Sequence, residues 1–253
     1  MASSQFPSVK DIGSRKSLNR SMNQLKKHLS LYNEARHIIL FGLLDRKIDW
    51  DQPKYKVKRE IKNWFKLLNS EVEKFGFSKN QVLLYPLDEV RGENWERLMT
   101  IIDAIDGVDS NIGIYVNPIF KKKDIYNPKI RKILSKLKKS VYVWQPRFET
   151  VGLVDTDIYL GEDAQLWYYQ NPDFPARQAS PMFYKSLAIK AVENGYSGVG
   201  FWSVTDTKGS SSWSDIDGKR PDWTSLYYKD GRIISSLRWE AFRAGLNLSL
   251  IHI

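Results

Sequence analysis

Apolar residues recur along the chain in two alternating rhythms. Leu18, Met22, Leu25 and Leu29 fall at three- to four-residue spacing, which predicts a helix over residues 14–33. The short apolar run HIILFGLL over 37–44 reads as a buried strand. The helical rhythm returns over 55–75, with Ile61, Trp64, Phe65 and Leu68 on one face and Gly76 as the C-terminal stop. The same alternation then repeats. Strands are predicted at 81–90, 111–117, 141–145, 165–170 and 198–204, and helices at 94–105, 128–139 and 181–194. Pro128 suits a first helical turn, and Ser180 is a natural N-cap.

Strands that alternate with helices point to a parallel sheet with right-handed crossovers. The expected fold is α/β, a (β/α)8 TIM-type barrel. Only six strands are visible, two fewer than a closed barrel needs, so the barrel is expected to be incomplete. A doubly wound open sheet is the alternative. Past residue 204 the pattern changes to a loop rich in Ser, Asp, Gly and Trp. Lys229-Asp230-Gly231 between apolar runs at 226–228 and 232–234 signals a hairpin. A last helix is predicted over 236–246. The organisation expected is a polar lead and helix over 1–33, a partial barrel over 34–206, and a loop, hairpin and helix over 207–247. Residues 248–253 (LSLIHI) break the pattern and resemble the in-frame translation of a sequencing adapter, so they are set apart from the fold argument.

Composition narrows the chemistry. The chain has 253 residues, no cysteine and only three histidines, His28, His37 and His252. A disulfide framework and a thiolate metal site are excluded, and a histidine-rich metal centre or a Ser-His-Asp triad is disfavoured. No cofactor and no metal are expected. No run of about 18 apolar residues exists, so no membrane-spanning helix is expected. The N-terminus shows no apolar signal-peptide core, which leaves the compartment open. Nine Trp, thirteen Tyr and eleven Phe are a heavy aromatic load, equally suited to filling a core and to stacking sugar rings.

The candidate chemistry lies at the end of the second strand. In QVLLYPLDEV over 81–90, an apolar run ends on two adjacent carboxylates, Asp88 and Glu89. Charged side chains are rarely buried unpaired, so the pair belongs where the strand leaves the sheet. In an α/β barrel the carboxyl ends of the strands face the active site. Adjacent acids after a strand are also a common way to begin a solvated loop or to charge a helix N-terminus. Asp45 at the end of the first strand is read as a solvated loop residue, although it is also placed to bind a sugar hydroxyl. Arg238 and Glu240 are read as a structural pair.

Four segments carry a family likeness. Leu84-Tyr85-Pro86-Leu87-Asp88-Glu89 resembles the YPxDE strand end of glycoside hydrolase family 123 and its barrel relatives. Leu166-Trp167-Tyr168-Tyr169 is similar to their lWxY strand, and the segment from Gly195 to Trp202 to their GxxGxxxW strand. The segment from Ser236 to Gly245 is similar to their SxRxEAxRxG helix. The segments come in the family's order. Val90 stands where the family has proline, and Arg243-Ala244-Gly245-Leu246 departs from its RDGxEDY closing helix.

The resemblance implies a barrel with a first portion ahead of this chain, which would account for the missing strands; intact relatives of this kind would be secreted or periplasmic. It also implies hydrolysis of a β-linked N-acetylhexosamine, typically N-acetylgalactosamine, in which the substrate's own acetamido oxygen is the nucleophile. Substrate-assisted enzymes depart from the usual two-carboxylate scheme. They need a protonated carboxyl for the leaving oxygen and a carboxylate to stabilise the charged acetamido group. Two neighbouring carboxylates suit this, because their mutual repulsion favours a pair that holds one proton. Glu89, with the longer arm, is assigned as general acid and Asp88 as acetamido stabiliser. Tyr168 and Tyr115 are the candidates for a hydroxyl near the acetamido group, Tyr115 also having a structural reading. Trp144, Trp167 and Trp202 are candidates to wall the sugar site, with core packing as the equal alternative. Asp206 is an even choice between site and loop.

Two rival readings stand beside this one. The first is a catalytically inactive carbohydrate-binding or scaffolding barrel. The second starts from charge. The net charge is +10, and residues 119–140 alone carry eight lysines, one arginine and one aspartate, a net +8. Basic patches can mark nucleic-acid binding. However, Ile130, Ile133, Leu134 and Leu137 fall on one helical face with lysines on the other, as on an outer barrel helix. The expected partner is therefore a glycan substrate, with neither nucleic acid nor membrane; acidic glycans are a further reason such a face could be basic.

Overall fold

The computed structural model describes residues 7, 9, 15–44, 47–121, 126–151, 155–172, 176–214 and 217–251. Asp45 and His252 lie outside them. The chain divides into two compact units, one of residues 1–146 and 150–164, the other of 147–149 and 165–253.

The first unit opens with helix α1 (Arg15–Leu31), which buries Met22, Leu25 and Leu29 as its periodicity requires. Three βα steps follow. Strand β1 (Ile38–Phe41) leads to α2 (Lys54–Glu73), β2 (Val82–Tyr85) to α3 (Asn94–Ile105), and β3 (Gly113–Val116) to α4 (Pro128–Leu137) and then β4 (Val143–Trp144). The strands are parallel, in the order β1-β2-β3-β4. Helix α2 buries Val57, Ile61, Trp64, Phe65, Leu68 and Val72. Its Trp64 indole N–H is satisfied by the Pro7 carbonyl at 2.7 Å. Helix α4 starts where Pro128 fits the first turn, capped by the Asn127 side chain, which accepts from the Lys129 N–H. Its buried face is the predicted Ile130, Ile133, Leu134 and Leu137.

The register places residues that share a face. Phe41 pairs with Tyr85, Leu84 with Ile114, and Tyr115 with Val143. Phe41, Tyr85 and Tyr115 form an edge-to-face row across three strands, with centroid separations of 5.3 and 4.9 Å. Alternate residues point the other way. There Trp144 meets Tyr159, Tyr159 meets Phe120, and Phe120 stacks on Trp95 of α3. The Trp144 face is thus the helix-packed layer, and the Tyr85 row lies on the opposite side of the sheet.

The second unit contains β5 (Gln165–Tyr169), α5 (Pro181–Glu193), β6 (Gly198–Gly200), the antiparallel hairpin β7 (Leu226–Lys229) and β8 (Arg232–Ser235), and α6 (Leu237–Ile251). β5 and β6 are parallel, with Trp167 opposite Gly198 and Tyr168 opposite Val199. Ser180 caps α5 by accepting from the Met182 N–H at 3.2 Å. Asp230 and Gly231 both adopt positive φ, 50° and 76°, the geometry of a tight two-residue hairpin turn. The core gathers Tyr168, Tyr184, Leu187, Ala191 and Phe242. α6 runs to Ile251, five residues beyond the predicted end at 246.

Candidate active site at the carboxyl ends of the strands

Pairing between β1 and β2 continues past the strands. Gly42 donates to the Tyr85 carbonyl at 2.7 Å and Leu44 to that of Pro86 at 2.8 Å. The chain then turns at Leu87 and rejoins the sheet at Val90, which donates to the Asn117 carbonyl at 3.0 Å. Asp88 and Glu89 are the crest of this turn, at the carboxyl end of β2, and both are half-buried.

One side chain fixes the crest. The Tyr85 hydroxyl donates to Asp88 Oδ1 at 2.9 Å and accepts from the Glu89 backbone N–H at 3.1 Å. Glu89 needs that support, because its φ is 43°, in the left-handed region that non-glycine residues avoid. Burial, with smaller contributions from Tyr115 and the Asp88 charge, pushes the Tyr85 phenol far above its ordinary range. It therefore stays a proton donor at any working pH. The Glu89 carboxylate, 40 % exposed, has Arg91 at 4.0 Å. So wide and exposed a pair is worth little. Tyr85 was not among the tyrosines assigned a role from the sequence, although it lies inside the segment that carries the acids.

The neighbouring strand ends are polar but uncharged. After β3 comes Asn117, buried, with no hydrogen-bond partner for its Oδ1 among the described residues. After β4 comes Gln145, buried, whose Oε1 accepts from the Tyr115 hydroxyl. Tyr115 is thus placed beside Tyr85 on the same face, 5 % exposed and facing Gln145. Trp144 is fully buried in the helix-packed layer. Its ring fills the interior, in line with the core-packing alternative for this residue. A cleft of about 540 Å3 between the starts of α3 and α4, lined by Gly92, Trp95, Glu96 and Lys129 among others, does not include the acids.

In the second unit, Tyr168 also faces the helices. It is 1 % exposed, packed by Phe148 and Tyr196, and its hydroxyl donates to Gln170 at 2.6 Å. Burial chiefly, with Glu149 and Tyr196 adding, pushes its phenol up to about 12. The side chain packs as a core residue. Trp167 points to the other face, where its ring covers Gly198: a Cβ there would lie 2.7 Å from the indole. Its Nε1 donates to Gln165 at 2.9 Å.

Trp202 follows β6 and is 38 % exposed. The chain leaves the ladder there because the Trp202 N–H turns to Asn171 Oδ1, at 2.6 Å. Its indole N–H donates to Asp206 Oδ2 at 2.8 Å. Asp206 is buried and pairs with Lys208 and, at 3.4 Å, with Arg220. Nearby, Asp222 accepts from the Lys208 backbone N–H at 2.7 Å. Asp206 therefore acts as an anchor for the loop and for the indole. Arg238 and Glu240, expected as a pair, have different partners: Arg238 donates to the Tyr227 hydroxyl, and Glu240 pairs with Arg243.

Neither described histidine approaches the acids. His37 bonds the Asn80 carbonyl and His28 lies against Tyr32. Among the described residues no group of three or more His, Asp or Glu is placed to hold a metal ion, and no helix is long and apolar enough to cross a membrane.

No protein-family model and no curated protein sequence matches the chain. Solved structures do. A GH10 xylanase from Bispora sp. MEY-1, determined with xylobiose, superposes with a TM-score of 0.51 at 12 % identity, over 89 % of this chain and 81 % of the xylanase. CbXyn10B in its native form gives 0.49 at 13 % identity, over 88 % and 81 %.

The fold is that of an incomplete TIM-type barrel, with six parallel strands among the described residues. The expected α/β architecture holds, and the doubly wound alternative falls away. The likeness to family 123 keeps its four ordered segments and gains no family match, while the structural neighbours are GH10 glycoside hydrolases.

Proposed function

We propose that the chain is a glycoside hydrolase that cleaves a β-linked N-acetylhexosamine, with N-acetylgalactosamine as the first sugar to test, by substrate-assisted retaining hydrolysis. The observation that carries the reading is the Asp88–Glu89 pair, presented at the carboxyl end of β2 and fixed there by Tyr85. That end of the strands is where barrel enzymes keep their chemistry. A conventional retaining glycosidase draws its acid and its nucleophile from two carboxyl groups about 5 Å apart across the scissile bond. In the first unit, the described residues that directly follow β1, β3 and β4 are Gly42, Asn117 and Gln145, none of them acidic. Two adjacent acids suit a substrate that brings its own nucleophile.

In this scheme the acetamido carbonyl oxygen bonds to the anomeric carbon as the bond to the leaving oxygen breaks. Glu89 gives its proton to that oxygen. Asp88 holds the acetamido N–H and stabilises the positive charge of the cyclic intermediate. Water then opens the ring and returns a proton to Glu89, with the anomeric configuration retained. In the second unit, Trp202 is proposed to stack a sugar ring on its exposed indole, oriented by Asp206.

Hydrolysis of aryl N-acetyl-β-galactosaminides tests the reading. Glu89→Gln should lower kcat by about 100- to 10,000-fold, the range for loss of a general acid. The loss should be smallest for the most acidic phenol leaving groups, which need least protonation. Asp88→Asn should lose activity on every leaving group alike. An absence of turnover on any N-acetylhexosaminide would leave the alternative, an inactive barrel that binds glycans; the exposed Trp202 indole is what favours it.

A further inference from the structure

We propose that Trp202 and Arg220 form a subsite for a sugar that carries an anionic group, a carboxylate or a sulfate, with the ring on the indole and the anion on the guanidinium. The stacking half rests on the glycan reading of Trp202 above; neither half depends on the acid pair.

The two side chains meet at one atom. The Trp202 indole N–H donates to Asp206 Oδ2 at 2.8 Å, and an Arg220 N–H reaches the same oxygen at 3.4 Å. The guanidinium therefore lies just off the N–H edge of the indole, within a sugar's breadth of it. Trp202 keeps part of its ring surface open to solvent. A sugar stacked on that surface overhangs the ring edge with its substituents, and on this edge they meet Arg220.

What this edge can offer follows from which polar groups are already used. Asp206 is buried with both oxygens engaged: Oδ1 faces Lys208, and Oδ2 takes the indole and Arg220. Asn171 gives its Oδ1 to the Trp202 N–H and its amide to the Tyr169 hydroxyl. Asp222 is buried and holds the Lys208 backbone N–H. The acceptors that would take a neutral sugar's hydroxyls are thus spent or buried. Arg220 is the opposite case. A guanidinium carries five N–H donors in a planar fork. Among the described residues only one of them is used, and that at 3.4 Å, on a side chain 56 % exposed. Spare donors in a fork suit a carboxylate or a sulfate, which bring acceptors only. Charge is layered the same way. The carboxylates of Asp206 and Asp222 lie buried, whereas Arg220 and its neighbour Lys219 reach solvent, so an approaching anion meets the cations first.

The Trp202 indole N–H resonance in NMR, assigned by Trp202→Phe, reads the site without any turnover. The probes are N-acetylgalactosamine with its 6-sulfate, glucose with glucuronic acid, and sodium sulfate alone. At about 50 mM salt, the sulfated sugar or the uronate should bind about three- to tenfold tighter than its neutral counterpart, and about 0.5 M salt should remove most of that gain. The pair that shows the gain names the anion. Arg220→Gln should abolish the gain, and Arg220→Lys, which keeps the charge and loses the fork, should retain part of it. If neither acidic sugar gains over its neutral counterpart, or if the gain survives Arg220→Gln, the proposal is overturned. Sulfate alone moving the resonance as strongly as the sulfated sugar marks an adventitious ion only and overturns it too. If no sugar moves the resonance, Trp202 is no platform and the subsite falls, while Glu89→Gln still decides hydrolysis. If the wild-type chain turns over no hexosaminide and an acidic sugar still binds here with the expected gain, the subsite stands and only the hydrolase reading fails.

Discussion

Glu89 sits in a backbone conformation that its side chain disfavours. At φ 43° the Cβ crowds the following peptide, a cost of about 1 kcal/mol or more for a non-glycine residue. The turn bears that cost and presents a carboxylate at its crest. Glu89→Gly should therefore be more stable than Glu89→Ala by about 1 kcal/mol in denaturant unfolding, because both lose the carboxylate and only glycine is at ease there. Equal stability would mean that the turn relaxes and stores nothing. The acids themselves were legible, since two charges that end a buried run have few other places to go. Tyr85 was not. Whether a tyrosine three residues earlier reaches back to Asp88 depends on the chain doubling over after Pro86, and that depends on the left-handed Glu89. The aromatic candidates divide by strand parity. Trp144 and Tyr168 face helices, while Tyr115 and Trp167 face away from them. Composition and spacing gave no sign of which face the helices would cover.

Among elements, helices follow their sequence pattern more closely than strands do. The predicted 94–105 helix is α3 without adjustment, and α2 and α5 are met within two residues at each end. Apolar period, Pro at the start and Gly at the stop are local signals, and they fix local structure. Strand ends depend on the neighbour. β6 stops at Gly200, four residues before the apolar run does, because Asn171 takes the Trp202 N–H out of the ladder. Gly245 shows the same dependence in a helix. It reads as one glycine in an ordinary amphipathic segment, yet a Cβ on it would lie 2.1 Å from the Lys185 carbonyl oxygen. Helices α5 and α6 approach at that point too closely for any side chain. Gly245→Ala should cost about 1–3 kcal/mol through overpacking, although alanine is the better helix former. A gain in thermal stability would show that the approach is looser than the structure has it.

At the scale of the whole molecule, the alternation of strand and helix was enough to reach the barrel fold, because each βα step repeats the same requirement for a two-sided sheet. The division into two units was not legible. It falls where the pattern is weakest, around a helical turn at Phe148–Val151 and a short 3-10 turn at Thr156–Ile158. Charge is the remaining global feature, and α4 shows how to read it. Its apolar face is buried, whereas Lys132, Lys136 and Lys139 stand exposed on the other side and just beyond its end. Not every lysine there is free to meet a polyanion: Lys129 pairs with Glu96, and Lys138 donates to the Asp157 carbonyl at 3.0 Å. This is the distribution of a solvated outer helix, where basic residues keep the surface wet and contribute little stability. Replacing Lys132, Lys136 and Lys139 with Gln should shift the unfolding free energy by no more than about 0.5 kcal/mol per site. It should bring earlier elution from a cation exchanger. Oligonucleotide binding by the wild type should be weak and should fade steeply between 50 and 200 mM salt, as non-specific phosphate contact does. Tight binding that persists at about 0.15 M salt and disappears in the triple variant would make the lysine face a binding surface, and the solvated reading would be wrong.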